Sequence, residues 1–205
     1  MDSPQQPVWY IAVRPFDESR GRGWRAYREW RDDLPLLREV VTLDTMLCPA
    51  LLDPDRYSDG DWEHCVNEDF LLDCFRDGEW LRKRISRFRR CRLLAVRREP
   101  AAPAETVSLP GFRFLGYDIL DECAGNSLLT NCGPMPLAFG KADISEVGLV
   151  RGFARAREIR EALRRNYADC WHAANCELWA VWTEERPDPP PRELPRRAAH
   201  GKMRA

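Results

Sequence analysis

The feature that most constrains this chain is the order of its short apolar runs, which do not alternate strictly with helical stretches. Val8 to Arg14 gathers aromatic and β-branched residues and stops at Pro15, the signature of a short strand. Trp24, Tyr27 and Trp30 recur at a helical spacing, and Pro35 ends that segment. Glu39 to Leu47 reads as a strand closed by Pro49. From Asp61 the pattern predicts a helix, with Asp61 as cap and Trp62, Val66 and Phe70 on one face; a second helix is expected over Glu79 to Phe88. Cys91 to Val96 and Phe112 to Asp121 are expected strands, Phe153 to Tyr167 is the most regular amphipathic stretch, and Leu178 to Trp182 closes as a strand. Gly116, inside a run of high strand propensity, predicts a bulge or the close approach of another backbone.

The order β, α, β, α, α, β, β, α, β favours an α+β fold over a doubly wound parallel sheet. The expectation is a mostly antiparallel sheet of about five strands with helices packed on one face. At 205 residues, one domain over 1–183 is expected. Residues 184–205 hold five Pro and six Arg or Lys against four acids, which predicts a disordered, Pro-rich basic tail. Glu99 to Pro110, with three Pro and no aromatic residue, is the most linker-like interior stretch.

Charge and cysteine usage exclude more than they assign. The 32 basic and 33 acidic side chains leave a formal charge of -1, without the overall field of a dedicated nucleic-acid binder. The local run Arg82, Lys83, Arg84, Arg87, Arg89, Arg90 and Arg92 reads as a solvated helix face, with phosphate contact as its alternative. The N-terminal stretch shows no basic n-region and no stretch approaches a membrane span, so no signal peptide, no membrane and a cytoplasmic location are expected. Eight Cys with no CxxC pair are then expected to stay reduced. No GxGxxG, GxxxxGK[ST] or GxSxG string occurs, so no cofactor is expected.

Three clusters carry candidate chemistry. In Ser127-Leu-Leu-Thr130-Asn131-Cys132-Gly133, Cys132 is a candidate nucleophile, with His172 as base and Asp118 as its orienting carboxylate. The bland reading is a turn closed by Thr130 and Asn131 around a packed thiol. Cys170, His172 and Cys176, completed by Cys132, form a candidate metal set, although C-x-H and H-x3-C spacings differ from structural zinc knuckles. His64 and Glu68, four apart on the expected helix, are candidates for acid–base work or for capping and packing.

Five strings together resemble a widespread group of small bacterial cytoplasmic proteins to which no activity is attached: LDTMLCP from Leu43, WEHCVNEDF from Trp62, LGYD from Leu115, LTNCG from Leu129 and HAANCELWAVW from His172. The resemblance covers most of residues 40–183. It implies that the Asn-Cys-Gly loop, the Asn67 segment and the closing strand form one unit, in a molecule similar in looks to immunity or antitoxin-type proteins. The leading expectation is therefore a non-enzymatic protein that binds another protein, as an immunity-like inhibitor or accessory subunit. Of the eight Trp, a domain this size is not expected to bury all, and Trp24, Tyr27, Trp30, Trp62 and Trp80 are the contact candidates. The alternative is a cysteine-dependent or zinc-assisted hydrolase using Cys132, His172 and Asp118.

Overall fold

A computed structural model describes residues 7–13, 65–66, 71–86, 91–122, 126–130 and 132–185. Among the described residues six strands form one sheet: β1 (Trp9–Val13), β2 (Cys65–Val66), β3 (Leu71–Phe75), β4 (Arg92–Arg98), β5 (Phe112–Leu120) and β6 (Glu177–Glu184). Their order is β2-β3-β1-β4-β6-β5, and every pairing is antiparallel. The α-helices among the described residues are α1 (Gly78–Ile85), α2 (Phe153–Asn166) and the single turn α3 (Trp171–Ala174). The molecule has the α+β architecture expected from its sequence.

Register explains where the core sits. Tyr10 and Ala12 on β1 face Ala95 and Leu93 on β4, and Ala95 and Arg97 face Trp182 and Ala180 on β6. These side chains share one face, and both longer helices lie on it. Leu81 and Ile85 of α1 pack with Ala12, Phe75 and Leu93, while Ala156, Ile159 and Leu163 of α2 pack with Tyr117, Ile119, Leu178 and Trp182. Each helix offers apolar residues at i, i+3 or i+4 and turns Arg and Glu outward, so burial follows the 3.6-residue period. The opposite face carries Ile11, Val13, Leu94, Val96, Trp179 and Val181, with Leu149 and Val147 packed against it.

Local chemistry sets the element ends. Asp77 accepts hydrogen bonds from the Glu79 and Trp80 amides at 2.8 and 3.0 Å, satisfying two orphan donors at the start of α1. Helix α2 lacks a cap from its own flank. A carboxylate oxygen of Glu105 instead accepts from the Phe153 amide at 3.3 Å, and its other oxygen accepts from the Tyr117 hydroxyl. Burial works to raise the Glu105 carboxyl, but the Tyr117 and backbone hydrogen bonds outweigh it and hold the group below its usual range. Burial and the same carboxylate push the Tyr117 phenol well above its own. This ties the Glu99–Pro110 stretch to the core: Ala104 is fully buried, and its amide donates to the Tyr117 oxygen at 2.7 Å. The linker-like composition is thus misleading, because a Pro-rich segment with few donors of its own is anchored by side chains of its neighbours.

Two further expectations meet the structure differently. The bulge at Gly116 is present as a register shift between Phe114 and Gly116, opposite Val181. Its φ of 152° and the approach of Val150 together require glycine, since a Cβ would stand 2.8 Å from the Val150 carbonyl oxygen. The helix expected from Asp61 is not what forms at Cys65–Val66, which is a strand paired with β3. Apolar residues at 62, 66 and 70 satisfy a helical period, but the demand of a sheet edge for a partner overrides it. The segments expected as a helix around Trp24–Trp30 and as a strand over Glu39 to Leu47 lie outside the described residues, as does the stretch from 186 onward. No helix among the described residues is long and apolar enough to cross a membrane.

Candidate functional site

The end of β5 builds the most organised polar cluster. After Leu120 the chain turns and returns so that Ser127 bridges to Leu120, and the Leu128 amide donates to the Ile119 carbonyl at 2.8 Å. The turn is closed by Asp121, whose carboxylate accepts from the Asn126 amide at 3.3 Å and from the Asn126 side chain at 2.9 Å. A short Asx-type closure of this kind positions the carboxylate without burying it unpaired.

His172 then meets that carboxylate, with its Nδ1 3.0 Å from Asp121 Oδ2. Helix α3 delivers the imidazole: the Ala173 and Ala174 amides donate to the Cys170 carbonyl, and Trp171 sets its ring edge-on to His172 at 4.9 Å. Asp121 is 1% exposed and His172 39% exposed. With an ionised carboxylate beside it, Nδ1 is the nitrogen that donates, and Nε2 is directed away from Asp121. Among the described residues, Asp121 is the imidazole's only hydrogen-bond partner.

This geometry corrects the expected set. Asp118, expected to orient His172, lies on the other face of the sheet from the helices, opposite Trp179. It is fully buried, and its carboxylate accepts from Ser127 Oγ at 2.6 Å and from the Ile119 amide at 2.8 Å. The carboxylate at His172 is Asp121, three residues further on, because strand alternation turns Asp118 away. Cys132 is half-buried and packs, with Cys170, against the core cluster of Leu128, Leu129 and Tyr117. It is not a hydrogen-bond partner of His172.

The candidate metal set does not assemble either. Among the described residues no three His, Cys, Asp or Glu side chains are placed to hold an ion, so Cys132, Cys170, His172 and Cys176 do not converge. Cys176 is buried at the start of β6, with its sulfur 4.0 Å from the Arg160 carbonyl. Burial pushes its thiol up to about 11, which keeps it protonated at neutral pH and a poor ligand.

The expected contact residues divide. Trp24, Tyr27, Trp30 and Trp62 lie outside the described residues, as do His64 and Glu68. Trp80 is half-buried, stacked on Phe75 at 5.5 Å with the Arg84 guanidinium over its ring, so much of its surface is already spent on the fold. In the basic run, Arg82 pairs with Glu184 and Lys83 with Glu79 at 3.3 Å, while Arg87, Arg89 and Arg90 lie outside the described residues. Among the described residues the large apolar side chains left most exposed are Leu137 at 67% and Trp171 at 54%. Both belong to the junction of α2 and α3. The Tyr167 hydroxyl accepts from the Leu137 amide at 3.1 Å, the Asn166 side chain donates to the Leu137 carbonyl at 2.7 Å, and the Tyr167 carbonyl accepts from Cys170 just before Trp171. Sequence reasoning passed over Leu137 and Trp171, since an apolar residue's exposure is not encoded in its identity. The one available signal was Trp171 itself, flanked by polar and small residues in CWHAANC.

Compared with known proteins, the chain matches no family model, no curated protein and no solved structure.

Proposed function

We propose that this chain is a non-enzymatic interaction domain that binds another protein through the junction of α2 and α3, with Trp171 and Leu137 as anchors and His172 beside them. One observation carries the reading: Leu137 and Trp171, the two large apolar side chains that stay mostly exposed among the described residues, both lie near the end of α2, Leu137 with its amide and carbonyl held by Tyr167 and Asn166 and Trp171 at the start of α3. Rigid, exposed apolar anchors lower the ordering cost of association, and Trp is the residue most often found at the energetic centre of an interface. His172 supports it as a fixed polar contact, since its ring is oriented by Asp121. An inhibitor of immunity type or an accessory subunit fits such a surface, because either role needs shape and polarity and no turnover.

The test is affinity capture with the full chain from its native cells, alongside Trp171→Ala and Leu137→Ala. A stoichiometric partner retained by the parent and lost by at least one variant supports the proposal. The same recovery by both variants, or no stoichiometric partner at all, overturns it. Each truncation is expected to weaken binding by about 2 kcal/mol or more, the hot-spot scale for a centrally placed anchor.

A second reading, acid–base chemistry at His172, is favoured by the Asp121 pairing, which is how a histidine base is held in its working tautomer. It separates from the first by His172→Gln: a binding surface tolerates it with a several-fold loss at most, whereas a general base loses about 100-fold or more in rate.

A further inference from the structure

One polar contact ties α3 to the sheet, and both of its groups are ionisable. His172 Nδ1 stands 3.0 Å from Asp121 Oδ2, with the carboxylate buried and the imidazole partly exposed. Asp121 closes the turn after β5 through Asn126, and the returning chain is fixed to β5 by the Leu128 amide on the Ile119 carbonyl. Across the contact, α3 is a single turn, closed by the Ala173 and Ala174 amides on the Cys170 carbonyl. So short a helix has no stability of its own, and its order comes from what it docks on. Ala173 is the apolar dock, fully buried in the core cluster, and His172 is the polar one.

The charged and titratable groups of the neighbouring elements are engaged elsewhere or stand clear of the ring. On α2, Arg164 donates to the Cys176 carbonyl, and Arg160 is held by Glu99 and Glu161. The Tyr167 hydroxyl takes the Leu137 amide, and on β6 Glu177 is paired with Arg98. Glu122, Asp169, Cys132 and Cys170 make no ion pair or hydrogen bond with the imidazole, which leaves Asp121 as its counterpart among the described residues.

Imidazole is the side chain that ordinarily changes charge between about pH 5 and 8. In the neutral ring, the Nδ1 proton gives Asp121 an ordinary hydrogen bond. In the protonated ring the same bond is charge-assisted, and it brings a countercharge to a carboxylate almost sealed from water. The contact keeps its geometry and changes its strength. We propose that His172 and Asp121 form a proton-operated latch: the imidazolium holds α3, and with it Trp171, on the turn after β5, and loss of the proton slackens that hold. The latch is a property of the fold and does not depend on the protein-binding reading.

The experiment uses the full chain without any partner. Amide hydrogen exchange is followed at pH 5.5 and pH 8.0, each rate divided by the intrinsic rate of an unstructured amide at that pH. The reporters are the Ala173 and Ala174 amides of α3, and Ile159 in the middle of α2 is the control. Protection at α3 is expected to be about 5-fold or more higher at pH 5.5, the scale by which a charge-assisted hydrogen bond exceeds a neutral one. Ile159 is expected to change less than about 2-fold. In Asp121→Asn and in His172→Gln the difference between the two pH values at α3 is expected to shrink to the level of that control. Equal protection of α3 at both pH values, a change shared equally by Ile159, or a difference undiminished in Asp121→Asn overturns the proposal. Should Asp121→Asn fail to fold, His172→Gln decides, because that side chain is partly exposed: a pH difference undiminished in it overturns the latch equally.

Discussion

At the scale of single residues, function here is governed by which polar atoms have partners. Asp118 and Asp121 are three positions apart, yet one is locked to Ser127 and the other offers an edge to His172. The thiols sort in the same way. Cys176, Cys74 and Cys91 are buried, whereas Cys132 and Cys170 are half-exposed. Because a thiol must ionise to react, and burial holds Cys176 up at about 11, its alkylation should be negligible in the native state at pH 7.5. Brief iodoacetamide treatment followed by peptide mapping is expected to label Cys132 and Cys170 ahead of Cys176, with all three equal after denaturation. Labelling of native Cys176 at the rate of Cys132 contradicts the burial described above.

At the scale of elements, the joints between strands and helices concentrate the sensitivity. Gly116 sits where β5 bulges toward Val150, at a φ that side chains avoid and with no space for a Cβ. Gly116→Ala therefore combines backbone strain with overpacking and should cost about 2–4 kcal/mol in a urea melt. Gly78 is a milder joint of the same kind: the Tyr10 ring stands 2.7 Å from where its Cβ would be, and Gly78→Ala should cost about 1–3 kcal/mol, since only one ring has to give.

The acid response also belongs to these joints. Glu105 joins the strap, β5 and the start of α2, and hydrogen bonds to its charged form hold its carboxyl below the usual range. Asp143 is lowered as well, first by the Arg155 guanidinium, with burial opposing and the Gly140 amide assisting. A carboxyl depressed in the folded state binds fewer protons there than in the unfolded chain. Its stabilisation is thus complete above the unfolded value near 4 and disappears as pH falls through the lower folded value. Urea midpoints should hold from pH 7 to about 5 and fall below about pH 4. Glu105→Gln should give a shallower fall over that lower range, and a slope unchanged by the substitution would contradict the role given to Glu105.

At the scale of the whole molecule, among the described residues one sheet carries two helices on its aromatic-rich face and a mainly aliphatic layer on the other, and Leu137 and Trp171 stay exposed near the end of α2. If the α2–α3 junction is the binding surface, then capture of a partner should fail in Trp171→Ala while the thermal midpoint changes little. The two readouts are independent, because Trp171 is more than half exposed and contributes little to the core. A large drop in the midpoint for this variant would assign Trp171 to the fold instead.

Much of this arrangement was legible from residue order. The strands at β4, β5 and β6 and the helix α2 follow from local composition, since continuous runs rich in β-branched and aromatic residues suit strands buried on both faces and a 3.6-residue apolar period suits a helix with one buried face. The bulge at Gly116 was legible too, because glycine within a strand has few other uses. Cys65–Val66 was not, nor the anchoring of Glu99–Pro110, since strand pairing and the reach of Glu105 to Tyr117 and Phe153 join positions far apart in the chain. The amino-acid order by itself determined the fold class and the helix-bearing pattern, because periodicity and propensity act within a few residues. Only the tertiary structure decided that Asp121 and not Asp118 holds His172, and that Trp171 stays outside. Each of those depends on how strands register across the sheet, a property of distant neighbours that no local window contains.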